Sequence, residues 1–169
     1  MLIVNINGPI NAGKSTVGRI LPQLLDNAFF LEVDELLSDE EQEKLQLDFK
    51  SGIAERLRRL AEVMQNEKKL QRYNFLFFAY PMSQRNFDSW RQWTDEHDKF
   101  VCVTLAPSME MCLKNRGTRE LSEREKNRIV EMYQQGYQNP IGSDKIICND
   151  NQTPLQTALL IKEFLLENF

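Results

Sequence analysis

The run Gly8-Pro-Ile-Asn-Ala-Gly13-Lys14-Ser15 carries the strongest chemical signal in the chain. Its spacing is G-x-x-x-x-G-K-[ST], in which glycines let the backbone curl until successive N–H groups converge on phosphate oxygens. A helix beginning at the same place adds the positive end of its dipole. Gly8, Asn11, Ala12, Gly13, Lys14, Ser15 and Thr16 are therefore the expected phosphate cradle. Lys14 would reach the β- and γ-phosphates, and the Ser15 hydroxyl would hold Mg²⁺. The bland alternative is a glycine turn followed by a chance Lys-Ser. The apolar run before the loop and the helical pattern after it favour the cradle.

Other residues suit the same chemistry. Asp34 closes an apolar run, where a carboxylate can accept a hydroxyl proton or steer Mg²⁺ through water. Ser15 and Asp34 are thus the candidate metal residues, although an aspartate there would also cap a helix starting at Glu35. A migrating phosphoryl group needs positive charge, and lid arginines supply it on closure. Arg116, Arg119 and Arg124 surround Gly117, with Arg119 and Arg116 the preferred pair and residues 114–124 the candidate lid; each could equally be a helix-end cation. Arg56, Arg58 and Arg59 share the polar side of one helix, as a solvated face or as readers of an acidic acceptor. Tyr80 and Met82 follow a strand and suit a substrate pocket. Phe87, Trp90 and Trp93 read as core, and the lone His97 as incidental.

These residues need elements to position them, and strand patterns alternate with helix patterns. Leu2–Ile6 is a buried strand, followed after the loop by a helix over 14–25. Strands are expected at Ala28–Val33, Phe75–Tyr80, Phe100–Leu105 and Lys145–Cys148. Helical spacing covers 53–70, and 84–95 also suits a helix. Ser38–Glu41 and Ser122–Glu125 have capping-box spacing, and Thr153-Pro-Leu-Gln156 opens the last helix with proline at its first position. Five apolar strands separated by helices imply an α/β fold with a parallel sheet and helices on both faces. Ligands in such sheets bind at the carboxyl ends of the strands. That is where the phosphate loop and Asp34 fall.

The chain has 169 residues, 41% hydrophobic and 27% charged, which suits one domain over 1–169 and excludes disorder. Its net charge of -4 argues against a dedicated nucleic-acid or anionic-membrane partner. Three cysteines without CxxC spacing read as reduced thiols, and no signal-peptide or membrane-spanning pattern appears, so the expected location is the cytoplasm.

In its motifs the chain resembles the P-loop small-molecule kinases, the adenylate-kinase-like group that includes shikimate, gluconate and nucleoside monophosphate kinases. The resemblance rests on the phosphate loop and on Phe30-Leu-Glu-Val-Asp34, similar to shikimate kinase and chloramphenicol phosphotransferase. It also rests on Thr104-Leu-Ala-Pro-Ser with Arg116-Gly-Thr-Arg119, and on Ile147-Cys-Asn149-Asp150 with Thr153-Pro154. It implies a three-layer sandwich with strand order 2-3-1-4-5 and a small lid, and it places Asn149 and Asp150 against an adenine base. The aspartate pair of shikimate kinase is absent, since Glu32 precedes Asp34, and Tyr80-Pro81-Met82 stands where that enzyme has three glycines. Shikimate is therefore a poor substrate candidate. No Asn-Lys-x-Asp motif is present, which favours ATP over GTP. The expected activity is Mg²⁺-assisted transfer of the ATP γ-phosphate to a hydroxyl of a small molecule. The alternatives are a nucleoside monophosphate kinase and an ATP-binding switch without a small acceptor.

Overall fold

The computed structural model describes residues 1–82, 84–91, 99–115 and 120–169. Its sheet has five parallel strands in the order β2-β3-β1-β4-β5: β1 (Leu2–Asn7), β2 (Ala28–Glu32), β3 (Phe75–Ala79), β4 (Lys99–Leu105) and β5 (Lys145–Ile147). The helices are α1 (Lys14–Leu24), α2 (Asp39–Lys44), α3 (Phe49–Leu70), α4 (Gln84–Arg91), α5 (Met109–Leu113), α6 (Glu123–Gln134) and α7 (Pro154–Asn168). A single 3₁₀ turn, Val33–Leu36, joins β2 to α2.

Period-two alternation sorts the strand side chains onto two faces. Leu2, Val4, Ile6, Phe77, Val101, Val103 and Leu105 pack with Val17 and Leu21 of α1, Ile129 of α6 and Ile161 of α7. Ile3, Leu76, Phe78, Phe100 and Cys102 face the other way, against Leu60 and Met64 of α3 and Phe87 and Trp90 of α4. Trp90 lies 5.4 Å from Phe78 between ring centroids and 6.3 Å from Phe100, so it and Phe87 are core, as expected. Trp93 and His97 lie outside the described residues.

Asn5 and Asn7 are the polar exceptions in β1, and both are fully buried. A buried amide must find partners. Asn5 Nδ2 donates to the Tyr80 carbonyl at 3.0 Å, and Asn7 Oδ1 accepts the Met82 N–H at 2.8 Å. Asn7 Nδ2 reaches Thr104 Oγ1 at 3.0 Å. The central strand thereby holds the backbone that leaves β3, which forms one wall of the cleft above the sheet.

Several element boundaries differ from expectation by a residue or more, and two of them bear on the site. β2 stops at Glu32 instead of Val33, and Asp34 is the second residue of the 3₁₀ turn instead of a helix cap. α3 starts at Phe49, four residues before Ile53, because Asp48 Oδ1 accepts the Ser51 N–H at 2.7 Å. Apolar periodicity could not reveal that start, since Phe49 is 65% exposed.

Candidate active site

The phosphate loop joins β1 to α1 through backbone that side chains resist. Gly8 has φ 137° and Gly13 φ 92°. A Cβ on Gly8 would stand 2.4 Å from the Leu105 carbonyl oxygen, so the loop lies directly on the end of β4. Asn11 also takes a left-handed φ of 64°. Its Nδ2 donates to the carbonyls of Cys112 and Lys114, both at 2.9 Å, tying the loop to the end of α5.

The start of α1 differs from the other described helix starts. Ser38, Asp48, Ser108, Ser122 and Thr153 each cap their own helix with a side-chain oxygen. Gly13 provides no such cap for α1. The first N–H groups of a helix have no intrahelical acceptors. A helix start without a side-chain cap suits an anion, which the helix dipole also favours. Lys14 stands over the same loop, its Nζ donating 2.7 Å to the Pro9 carbonyl. Gly8, Ala12, Gly13, Lys14, Ser15 and Thr16 thus run through this one loop into the first turn of α1. The Arg124 guanidinium lies 5.5 Å from the Phe49 ring centroid, and Arg116 and Arg119 fall outside the described residues. The Leu121 N–H donates to Asn115 Oδ1 at 3.1 Å.

On the β2 side the Ser15 hydroxyl lies close enough to the Glu32 carboxylate to favour its ionised form. Glu32 is a site residue that motif matching overlooked. Its side chain is only 9% exposed, and Arg19 approaches it at 3.3 Å. Burial pushes the Glu32 carboxyl above its usual range; the Ser15 hydroxyl opposes this, and the nearby Asp34 and Glu35 charges reinforce it. Asp34 itself is exposed on the 3₁₀ turn. A carboxylate two residues from Asp34 and ending a strand was the available signal. It was legible only as a departure from an aspartate pair.

The donor set fits Mg²⁺. That ion keeps several waters and takes one or two carboxylates together with substrate phosphates, so a full protein cage is not required. The Ser15 hydroxyl and the Asp34 carboxylate both lie within electrostatic range of Glu32. Among the described residues, no group of three or more His, Cys, Asp or Glu forms a metal cage of its own. Glu32→Gln is therefore expected to raise the Mg²⁺ concentration needed for activity, while protein stability at pH 7 holds or improves. The sign follows from the raised carboxyl: the folded state binds the proton more tightly than the unfolded state. Parent stability then falls as pH rises from the ordinary carboxylate range through the raised value. The melting difference between variant and parent should accordingly grow with pH; a variant that melts lower at every pH would contradict this account.

The adenine side can be tested in the same way. Asn149 is 6% exposed and donates from Nδ2 to the Ala12 carbonyl at 3.1 Å. Among the described residues its buried Oδ1 has no partner. An acceptor in that position suits a base carrying an exocyclic amine. Asp150 instead turns to α5, accepting from Ser108 N–H at 2.8 Å and from its hydroxyl at 3.0 Å. Asn149→Ala should strand the Ala12 carbonyl and cost roughly 1–3 kcal/mol of stability. Urea unfolding with and without ATP would measure this, and the ATP-dependent gain should shrink.

The three α3 arginines are engaged within the protein. Arg59 bonds Glu41, Glu55 and the Leu36 carbonyl, and Arg58 bonds Glu55 and Glu62. These contacts raise both guanidinium pKa values and hold the Glu55 carboxyl down at about 2. Arg56 donates to the Leu37 carbonyl at 3.2 Å and faces Asp39 at 3.9 Å. Of the two readings for this cluster, the bonds support a structural one.

The sheet order and the loop above it make this the architecture of the P-loop small-molecule kinases. Shikimate kinase from Acinetobacter baumannii, solved with shikimate, superposes with a TM-score of 0.63 at 21% identity, covering 99% of this chain and 93% of that one. The tunicamycin resistance protein of Deinococcus radiodurans gives 0.66 at 17% identity, covering 96% and 94%. A sugar kinase from Janibacter sp. gives 0.65 at 18% identity, covering 97% and 93%. At these identities the likeness is one of fold. No protein-family model matches the chain, and no curated protein matches it.

Proposed function

We propose that this protein is an ATP-dependent phosphotransferase that moves the γ-phosphate to a hydroxyl of a small acceptor. The observation that carries this reading is the uncapped start of α1, with Lys14 above it and the Ser15–Glu32 pair beside it. Backbone N–H groups of the phosphate loop hold the phosphate chain, and Lys14 meets charge on the oxygens of the transferring group. Ser15, Glu32 and Asp34 would hold Mg²⁺, which supplies charge neutralisation across the phosphates when bound. Asp34, exposed at the mouth of the cleft, orients the acceptor hydroxyl and accepts its proton as the oxygen attacks phosphorus and ADP leaves. Arg119 and Arg116 are the proposed lid cations, and the loop at Asn149 and Asp150 is the proposed adenine contact.

The likeness in fold to a shikimate kinase and a sugar kinase supports this reading. The buried thiols of Cys102 and Cys112 fit a reducing, cytoplasmic setting, and among the described residues no helix is long and apolar enough to cross a membrane. The test is ADP formation from Mg-ATP, measured with a panel of hydroxyl metabolites and nucleoside monophosphates and without any acceptor. Acceptor-dependent ADP release supports the transferase. Slow hydrolysis that no acceptor stimulates would favour a nucleotide switch.

A further inference from the structure

The last helix departs from the pattern of the other long ones. In α6 the inward Ile129 and Met132 are backed on the outside by the ion pairs Lys126–Glu123 and Arg128–Glu131. In α3 the inward Leu60 and Met64 are backed by Arg58 and Glu62. α7 is apolar on both sides. Ala158, Ile161 and Leu165 are buried in the core that holds Val17 and Leu21 of α1. Leu155, Leu159 and Leu166 recur at i, i+4 and i+11, which sets them on one stripe, and they are 50%, 44% and 59% exposed. Leu160 and Ile146 of the edge strand β5 are exposed as well. Two hollows of about 640 and 530 Å³ open here, one along α7 and one between α7 and β5, and Gln152, Leu160, Glu163 and Glu167 line both. The surface is therefore continuous from the outer stripe of α7 to the edge of the sheet. A helix apolar all round is the pattern of one covered on both faces, and a contiguous exposed apolar patch marks an interaction surface.

The charges on this surface select what covers it. Glu163 and Glu167 are exposed and four residues apart, a like-charged spacing that opposes the helix carrying it. Among the described residues neither forms an ion pair, and Lys162 forms none either. Elsewhere Arg58, Lys114, Lys126 and Arg128 each pair along their own helix. Lys145 stands on the β5 margin, its Nζ 5.6 Å from the Phe164 ring centroid. Asp144 on the same margin is committed to Arg91 and to the Cys102 N–H. The leucines are thus accompanied by two lysines and two glutamates that lack each other's company. A uniformly acidic or basic partner would leave one sign unmatched. A two-fold contact presents the same patch from both sides, so each copy offers its lysines to the other's glutamates. Leucines at the centre with charges around them match the apolar core and polar rim of protein interfaces. Glu32 and Asp34 follow β2, at the opposite edge of the sheet from β5, so such a pairing leaves the acceptor side open.

We propose that the outer face of α7, with the β5 edge beside it, pairs with a second copy of this chain about a two-fold axis. Leu155, Leu159 and Leu166 form the centre, and Lys145 and Lys162 of each copy meet Glu163 and Glu167 of the other. The pairing is independent of the phosphotransferase reading and is measured without turnover. Sedimentation velocity over roughly 1–100 µM protein should show a monomer–dimer equilibrium for the parent. Leu159→Gln with Leu166→Gln should weaken it at least about tenfold. Both leucines are exposed, so circular dichroism and melting should match the parent at concentrations where the parent is monomeric. Charge provides the second arm. Glu163→Lys with Glu167→Lys should stop self-association, and so should Lys145→Glu with Lys162→Glu. Mixed in equal amounts, these two variants should form a heterodimer. A parent that stays monomeric throughout the range would overturn the proposal and leave the face to a different partner. A dimer indifferent to the leucine changes would put the contact elsewhere and overturn it too. Charge variants that dimerise alone, or that remain monomeric when mixed, would refute the exchange of lysines for glutamates on which the choice of a second copy rests.

Discussion

Lys14→Ala is expected to lower phosphoryl transfer by at least about a hundredfold while leaving the fold intact. A loose phosphoryl-transfer transition state offers the protein little covalent work, so rate comes from positioning and charge. Lys14 brings its ammonium to the loop by its hydrogen bond to Pro9, and its side chain is only half-buried. Lys14 is not among the buried core residues, so unfolding midpoints should match the parent closely. Single-turnover ADP formation at saturating Mg-ATP measures the loss without interference from product release. Near-parent turnover by a folded Lys14→Ala protein would remove the basis for the proposed activity.

The second large effect is expected at Asp34. Asp34→Asn should reduce turnover by roughly two to four orders of magnitude, the usual contribution of a positioned base. The change is nearly isosteric. Asp34 caps no helix, lying within the 3₁₀ turn and exposed, so folding should be untouched. Loss of a metal contact would imitate loss of a base, so the comparison must be made at saturating Mg²⁺. Glu32→Gln is the control: excess Mg²⁺ should largely restore it, and should leave Asp34→Asn impaired. Mg-ATP affinity by calorimetry should fall far less than turnover. An Asp34→Asn protein that turns over its acceptor at the parent rate would move the proton elsewhere and favour a phosphate acceptor that needs no base.

Local signals with a single physical cause were legible in the sequence. The phosphate loop could be read because its spacing is dictated by backbone geometry. The boxes at Ser122–Glu125 and Thr153–Gln156 form with both reciprocal bonds. At Ser38–Glu41 only the Ser38 half forms, because the Glu41 carboxylate is held by Arg59 from α3. That is a tertiary contact, which spacing cannot show. The same reason hid Glu32, whose importance comes from the Ser15 hydroxyl reached across the α1–β2 packing. The strand order came from resemblance, and the β2-β3-β1-β4-β5 pairing bears it out.

The position of β1 has a consequence for how the molecule is made. Residues 2–7 form the central strand, yet Leu2 pairs with Phe75 on one side and Lys99 on the other. The Asn7–Met82 bond, which helps shape the cleft, spans 75 residues. Contacts this distant in sequence must close long loops before they are rewarded, which slows folding. During synthesis, β1 waits with both hydrogen-bonding edges open until β3 and β4 have left the ribosome. The proposed phosphate loop is therefore translated early and shaped late. Nucleotide should stabilise the finished molecule without speeding the early steps of its folding, and nucleotide binding should report completion of the central sheet.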